Sequence, residues 1–172
     1  METTEHITES YVRYCLEWFT NSNIKAKGGK EIDILAIDKK GKKYWIECGI
    51  THKKHWSLKA KADEKDKQKV IRKTGEKLVW RHRNSVDYFI EHKFNDDRLK
   101  EEIKKFGFKN KNYKKIIVCW QVSGPETEKY ANKKGIEIWE LKEKMKELKK
   151  KIGETYYSDD ILRTLQLVNK ME

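Results

Sequence analysis

The chain is expected to fold as an α/β domain with a mixed central β-sheet flanked by helices. Three observations predict it. Apolar residues recur every three or four positions across residues 3–21, as on one face of a helix. Two β-rich runs, 31–37 (EIDILAI) and 43–50 (KYWIECGI), are separated by the turn residues Asp38-Lys39-Lys40-Gly41-Lys42 and read as a hairpin. Residues 115–122 (KIIVCWQV) form the most apolar run in the chain, as suits a central strand covered on both faces.

The remaining elements follow in order. The first helix carries Ile7, Tyr11, Val12, Cys15, Leu16, Trp18 and Phe19 on its apolar stripe and ends at Asn21 to Asn23. Residues 24–27 form a short strand broken by Gly28-Gly29. Residues 58–75 are dense in charge, with few anchors beyond Leu58, Ala62, Val70 and Ile71, and are read as a solvated helix. Residues 78–83 suit a short strand, and 85–92 and 96–106 suit helices, the second with Leu99, Ile103 and Phe106 on one side. Pro125 belongs in the first turn of a helix reaching Lys133, where its missing N–H costs nothing. A strand over 136–139 and a charged helix over 141–152 follow, the latter with Leu141, Met145, Leu148 and Ile152 on one stripe. Ser158 is the expected N-cap of a last helix over 158–171. With no internal repeat and no Pro/Gly/Ser-rich linker, residues 1–172 read as one domain, with 141–172 as a C-terminal helical extension. Trp45, Trp120 and Trp139 alternate with aliphatic residues and are expected in the core.

Composition narrows the partners. Only 37% of residues are hydrophobic and 40% are charged, yet six Trp, eight Tyr and five Phe supply enough apolar surface for a core. The net charge of +12 favours a polyanion, nucleic acid before an anionic membrane. The three cysteines, Cys15, Cys48 and Cys119, lie far apart, without metal-binding spacing or a disulfide framework. No run approaches the roughly 18 apolar residues of a membrane span, and the first residues lack an apolar signal core. A cytoplasmic, reducing setting is the expectation.

The hairpin carries the chemistry. If residues 38–42 connect the strands, Ile37 faces Lys43, and the same register sets Asp33 opposite Glu47 on one face of the sheet, with Cβ atoms about 5 Å apart. Two like charges so placed need compensation. A hard divalent cation supplies it, since such ions take carboxylate oxygens, waters and substrate phosphates. A surrounding lysine network is the alternative. The apolar neighbours Ile32, Ile34, Leu35, Ile46 and Cys48 point to burial, where an unpartnered carboxylate is costly.

A helix bearing a Glu, followed by a hairpin with Ile-Asp and Ile-Glu, resembles the PD-(D/E)XK nuclease superfamily. The likeness is nearest to archaeal Holliday-junction resolvases and restriction-type endonucleases, and it covers residues 8–50 by motif. It implies a restriction-endonuclease-like sheet and Mg²⁺- or Mn²⁺-dependent hydrolysis of DNA, double-stranded or branched, with a homodimer common among such enzymes. Asp33 matches the family's metal-binding Asp and Glu47 its second acid, with the Cys48 carbonyl beside them. Glu9 matches the acid on the first helix that completes the metal site in such resolvases, and Gln68 a Gln placed near it.

One departure stands out. The family's lysine falls two residues after the second acid, and that position here is Gly49. Lys53, on the same strand parity, is the expected substitute, with Lys54, His52 or Lys59 as alternatives, and otherwise the fold binds nucleic acid without cutting. His52, Lys54, His55 and Trp56 follow at once, cations beside a planar ring, as suits phosphate contact and base stacking. Lys27, Arg81 and Arg83 are further candidate contacts to the nucleic-acid backbone.

Overall fold

The computed structural model describes residues 2–49, 57–61, 67–72, 75–80, 84–109, 112–153, 157 and 159–170, with backbone alone in 67–72, in 75–80 and at 169. Helix α1 (Thr3–Tyr14) leads into β1 (Phe19–Ala26), β2 (Lys30–Ile37) and β3 (Lys43–Cys48). A hairpin of β4 (Lys67–Arg72) and β5 (Gly75–Trp80) follows, then the short helix α2 (Val86–Phe89), a π-helical turn (Ile90–Phe94) and α3 (Asp97–Lys105). The chain continues through β6 (Tyr113–Cys119), α4 (Pro125–Lys133), β7 (Ile136–Glu140), α5 (Leu141–Ile152) and α6 (Asp160–Asn169).

The five-stranded sheet runs β1-β2-β3-β6-β7, with β4 and β5 forming a separate two-stranded sheet. The first three strands are antiparallel neighbours, whereas β3–β6 and β6–β7 are parallel. This is the mixed central sheet flanked by helices that the resemblance implies. One face packs on α1, α5 and α6 through residues such as Tyr11, Ile34, Ile46, Val118, Leu148 and Leu162. The stretch expected as a helical extension is thus part of this layer, and the Leu141–Leu148–Ile152 stripe is spent on it. The other face packs on α2, the π turn, α3 and α4 through Leu35, Trp45, Phe89, Phe94, Leu99 and Ile117. Among the described residues no helix is long and apolar enough to cross a membrane.

Several sequence expectations need correction. The first helix stops at Tyr14, not Asn21, because Glu17 takes a left-handed backbone (φ 57°). Trp18 then leaves the helical path to stack on Tyr44 with ring centroids 4.1 Å apart, and Phe19 opens β1. The aromatic pair satisfied the helical period without belonging to the helix. Residues 58–75 are not one helix. Leu58 and Lys59 bridge to Val122 and Ser85, and Lys67–Arg72 is a strand whose Arg72 pairs with Gly75 of β5. A charge-rich run shows neither period clearly, so cross-strand pairing decided its state. Asp159, not Ser158, caps α6, accepting from the N–H groups of Ile161 and Leu162. Trp45 and Trp139 are buried as expected, but Trp120 lies past the end of β6 and is 44% exposed.

Candidate functional site

Where β2 and β3 run side by side, Ile37 pairs with Lys43 and Ile34 with Ile46, the register read from the turn. Carried one step further, it sets Asp33 opposite Glu47. Both acids are buried, Asp33 at 5% exposure and Glu47 at 0%. Each is held from the sheet itself. The Cys48 backbone N–H donates to Asp33 Oδ2 at 2.7 Å, and the indole Nε1–H of Trp45, two residues back on the same face, donates to Glu47 Oε1 at 2.6 Å.

The compensating charge is Lys93. Its ammonium forms an ion pair with Glu47 Oε2, lies 3.1 Å from Asp33 Oδ1 and donates to the Glu31 carbonyl at 2.9 Å. Three acceptors thus surround a group with three N–H donors. Apart from this ion pair, no donor among the described residues reaches Glu47 Oε2. Burial lowers the proton affinity of Lys93, but the pull of Glu47 and Asp33 outweighs it and holds the ammonium protonated. Burial, and then the neighbouring Asp33 charge, push the Glu47 carboxyl well up, and Lys93 and Trp45 only partly offset this.

Gly49 leaves no room for a side chain. A Cβ on Gly49 would lie 2.2 Å from Cζ of Phe89, so the space a side chain would need there is filled by that ring. Phe89 ends α2, and the π turn that follows it carries Lys93. One segment therefore both closes position 49 and delivers the cation. Buried Phe94 packs edge-on to Trp45 at 5.1 Å between centroids and pins the far side of the turn.

Glu9 is buried on α1, but its carboxylate oxygens accept from the hydroxyls of Thr20 (2.7 Å) and Ser22 (3.0 Å) on β1. The α1 acid that senses Asp33 is Glu5, whose carboxyl is raised by burial first and by the Asp33 charge to a smaller degree. No three His, Cys, Asp or Glu side chains converge as a metal cluster among the described residues. Lys27 is exposed on the β1–β2 turn. Around that turn Arg98 Nη2 donates to Asp96 Oδ2 at 2.7 Å, and Lys30 Nζ lies 3.5 Å from the same oxygen. Lys53, His52, Lys54, His55, Trp56, Arg81 and Arg83 lie outside the described residues, and Gln68 is described only as backbone in β4.

Sequence reasoning missed Lys93. A signal was present: it follows Phe89 by four positions, on the side of the segment that Phe89 buries.

No protein-family model and no curated protein matches the chain. Among solved structures it is similar to a repair endonuclease from Pyrococcus abyssi (TM-score 0.43, 15% identity, covering 80% of this chain and 46% of that one). It is also similar to a protein of unknown function, AF1548 (TM-score 0.43, 18% identity, covering 78% and 56%). The chain spans about half the length of each.

Proposed function

We propose that the chain is a divalent-metal-dependent nuclease that hydrolyses phosphodiester bonds in DNA, with Asp33, Glu47 and Lys93 as its reactive constellation. The observation that carries this reading is the buried trio itself. Two carboxylates are fixed side by side by dedicated hydrogen bonds, with one cation against both. As a stability device the arrangement is poor, since desolvating three charges offsets most of what their attraction returns. Such clusters are retained where charge has work to do.

The donor set fits a hard divalent cation. Two carboxylate side chains beside a backbone carbonyl offer oxygen ligands, which Mg²⁺ and Mn²⁺ prefer. Asp33, Glu47 and the Cys48 carbonyl would hold the ion. When bound, it supplies Lewis-acid polarisation of the phosphodiester and a more acidic water. Lys93, held protonated, serves as a positive charge for the developing oxyanion and not as a general base. The net charge of +12 draws in a polyanionic substrate.

Cleavage assays on supercoiled, branched and single-stranded DNA with Mg²⁺ or Mn²⁺ test this. The wild type is expected to cut at least one of them. Asp33→Asn and Glu47→Gln should lower the rate at least a hundredfold, about 2.7 kcal/mol of transition-state stabilisation, while DNA binding persists. Gly49, at the position where the resemblance places the family's lysine, favours a second reading, a nuclease-like fold that binds nucleic acid without cutting. A wild type that binds all three substrates and cuts none would establish that reading instead.

A further inference from the structure

The environment of Lys93 suggests how the site is kept until substrate arrives. Its ammonium touches both carboxylates and the Glu31 carbonyl, so the free protein already has a cation between Asp33 and Glu47. The carboxylates have little freedom to turn away and offer a second cation other lone pairs. Asp33 Oδ2 is tied to the Cys48 N–H, and Glu47 Oε1 to the Trp45 indole. An arriving divalent ion would meet a positive charge within a few ångströms in a largely desolvated place, where like charges repel strongly. The lysine does have a way out. Its side chain is 21% exposed, and it is borne on a π turn flanked by the anchored rings of Phe89 and Phe94. The turn can hold its place while the four-carbon stem swings. An ammonium leaving two carboxylates needs another anion at the same mouth, and a phosphodiester is such an anion.

We infer that Lys93 is the resident counter-ion of the Asp33–Glu47 pair and exchanges carboxylate for substrate phosphate, so that divalent metal and DNA bind cooperatively. The inference rests on the reading of these acids as a metal site. In the free protein Lys93 holds the pair together and keeps its affinity for divalent ions low. With DNA bound, the ammonium moves onto a phosphate oxygen and the carboxylates are released for the ion. By linkage, the ion must strengthen DNA binding by the same factor as DNA strengthens ion binding. No bond is made or broken in this exchange, and only ion pairs change partners.

The test is Mn²⁺ binding to the full chain, followed by loss of the free-ion electron paramagnetic resonance signal. It is run alone and with a saturating short DNA duplex, after subtraction of the ions bound by duplex alone. The wild type should bind weakly alone and about fivefold or more tightly with duplex, at the lower edge of ordinary allosteric coupling. Lys93→Met should bind Mn²⁺ about tenfold more tightly than wild type without DNA, and duplex should add nothing further. Lys93→Gln, which keeps hydrogen-bonding capacity without the charge, should behave likewise and covers the case in which the Met variant fails to fold, as judged by circular dichroism. If both variants bind no more tightly than wild type while Asp33→Asn abolishes binding, the metal site stands and the exchange is wrong. If wild type binds no Mn²⁺ even with duplex, the proposed metal-dependent function fails and the exchange fails with it.

Discussion

Glu9 and Glu47 are both buried carboxylates on elements that frame the central sheet, yet their surroundings differ in kind. On the α1 side, Glu9 accepts hydrogen bonds from two neutral hydroxyls, Thr20 and Ser22, and is held as a structural acceptor between helix and edge strand. On the opposite side, Glu47 shares Lys93 with Asp33, and among the described residues its second oxygen has only that cation. Neutral donors satisfy a lone acid locally. Two facing acids demand net positive charge, and whatever supplies it can also be traded for another cation.

The largest expected effect comes from breaking the charged side. Lys93→Met leaves two buried carboxylates without their cation and should destabilise the fold by about 3–5 kcal/mol at pH 8, the usual cost of removing one partner of a buried ion pair. The sign of the pH dependence is fixed. The Glu47 carboxyl is already raised in the folded state and rises further without Lys93, so the folded variant binds the proton more tightly than the unfolded chain. Wild type and variant lose stability in parallel above the unfolded value of about 4.5, and the gap between them opens as pH passes the raised value that Glu47 already has in the wild type. Urea melts of wild type and variant from pH 4 to 8 should diverge with increasing pH. A gap that is constant across this range would mean the defect is packing, not charge.

A smaller effect probes why the lysine is displaced. Gly49→Ala places a methyl against the Phe89 ring and should cost about 2 kcal/mol, in the range of overpacked cores. The same change in a Phe89→Ala background should cost much less, because the ring is gone. The two substitutions form a double-mutant cycle with a coupling energy of about 1–2 kcal/mol. Additive losses would show that Gly49 is required for some reason other than this ring.

These residues mark where the sequence was readable. The β2–β3 register was, because the Asp38–Lys42 turn and the flanking apolar runs allow only one alignment that buries both strands. The helices over 125–133 and 141–152 were, through Pro125 and the Leu141–Leu148–Ile152 stripe. Lys93 was hidden because sixty residues separate it from Asp33, and a lysine in a charged stretch looks solvated until its neighbours in space are known. The strand at Lys67–Arg72 was hidden because its charge obscures any apolar period, leaving cross-strand pairing to set the structure, whereas the strand expected over 78–83 was legible in part and begins at Gly75. Gly49 was seen as a missing lysine when it was also the imprint of Phe89.

The smallest expected effect sharpens the contrast between the two acids most. Glu9→Gln keeps an acceptor and the shape of the side chain, and a hydroxyl of Thr20 or Ser22 can rotate to accept from the new amide. The loss should be about 1 kcal/mol, one modest hydrogen-bond readjustment, with little dependence on pH between 6 and 8. Mn²⁺ affinity and DNA cleavage should stay within about threefold of wild type, less than the factor of ten that 1.4 kcal/mol would produce. The family resemblance implies the reverse, that this acid completes the metal site. If Glu9→Gln melts like wild type but loses Mn²⁺ binding and cutting together, Glu9 turns from its hydroxyl partners toward the metal in the working enzyme. The hydroxyl-bound arrangement of Glu9 would then belong to the metal-free protein alone. If stability shifts slightly and the metal titration does not move, Glu9 is a structural acid, and the reactive charge belongs to Asp33, Glu47 and Lys93.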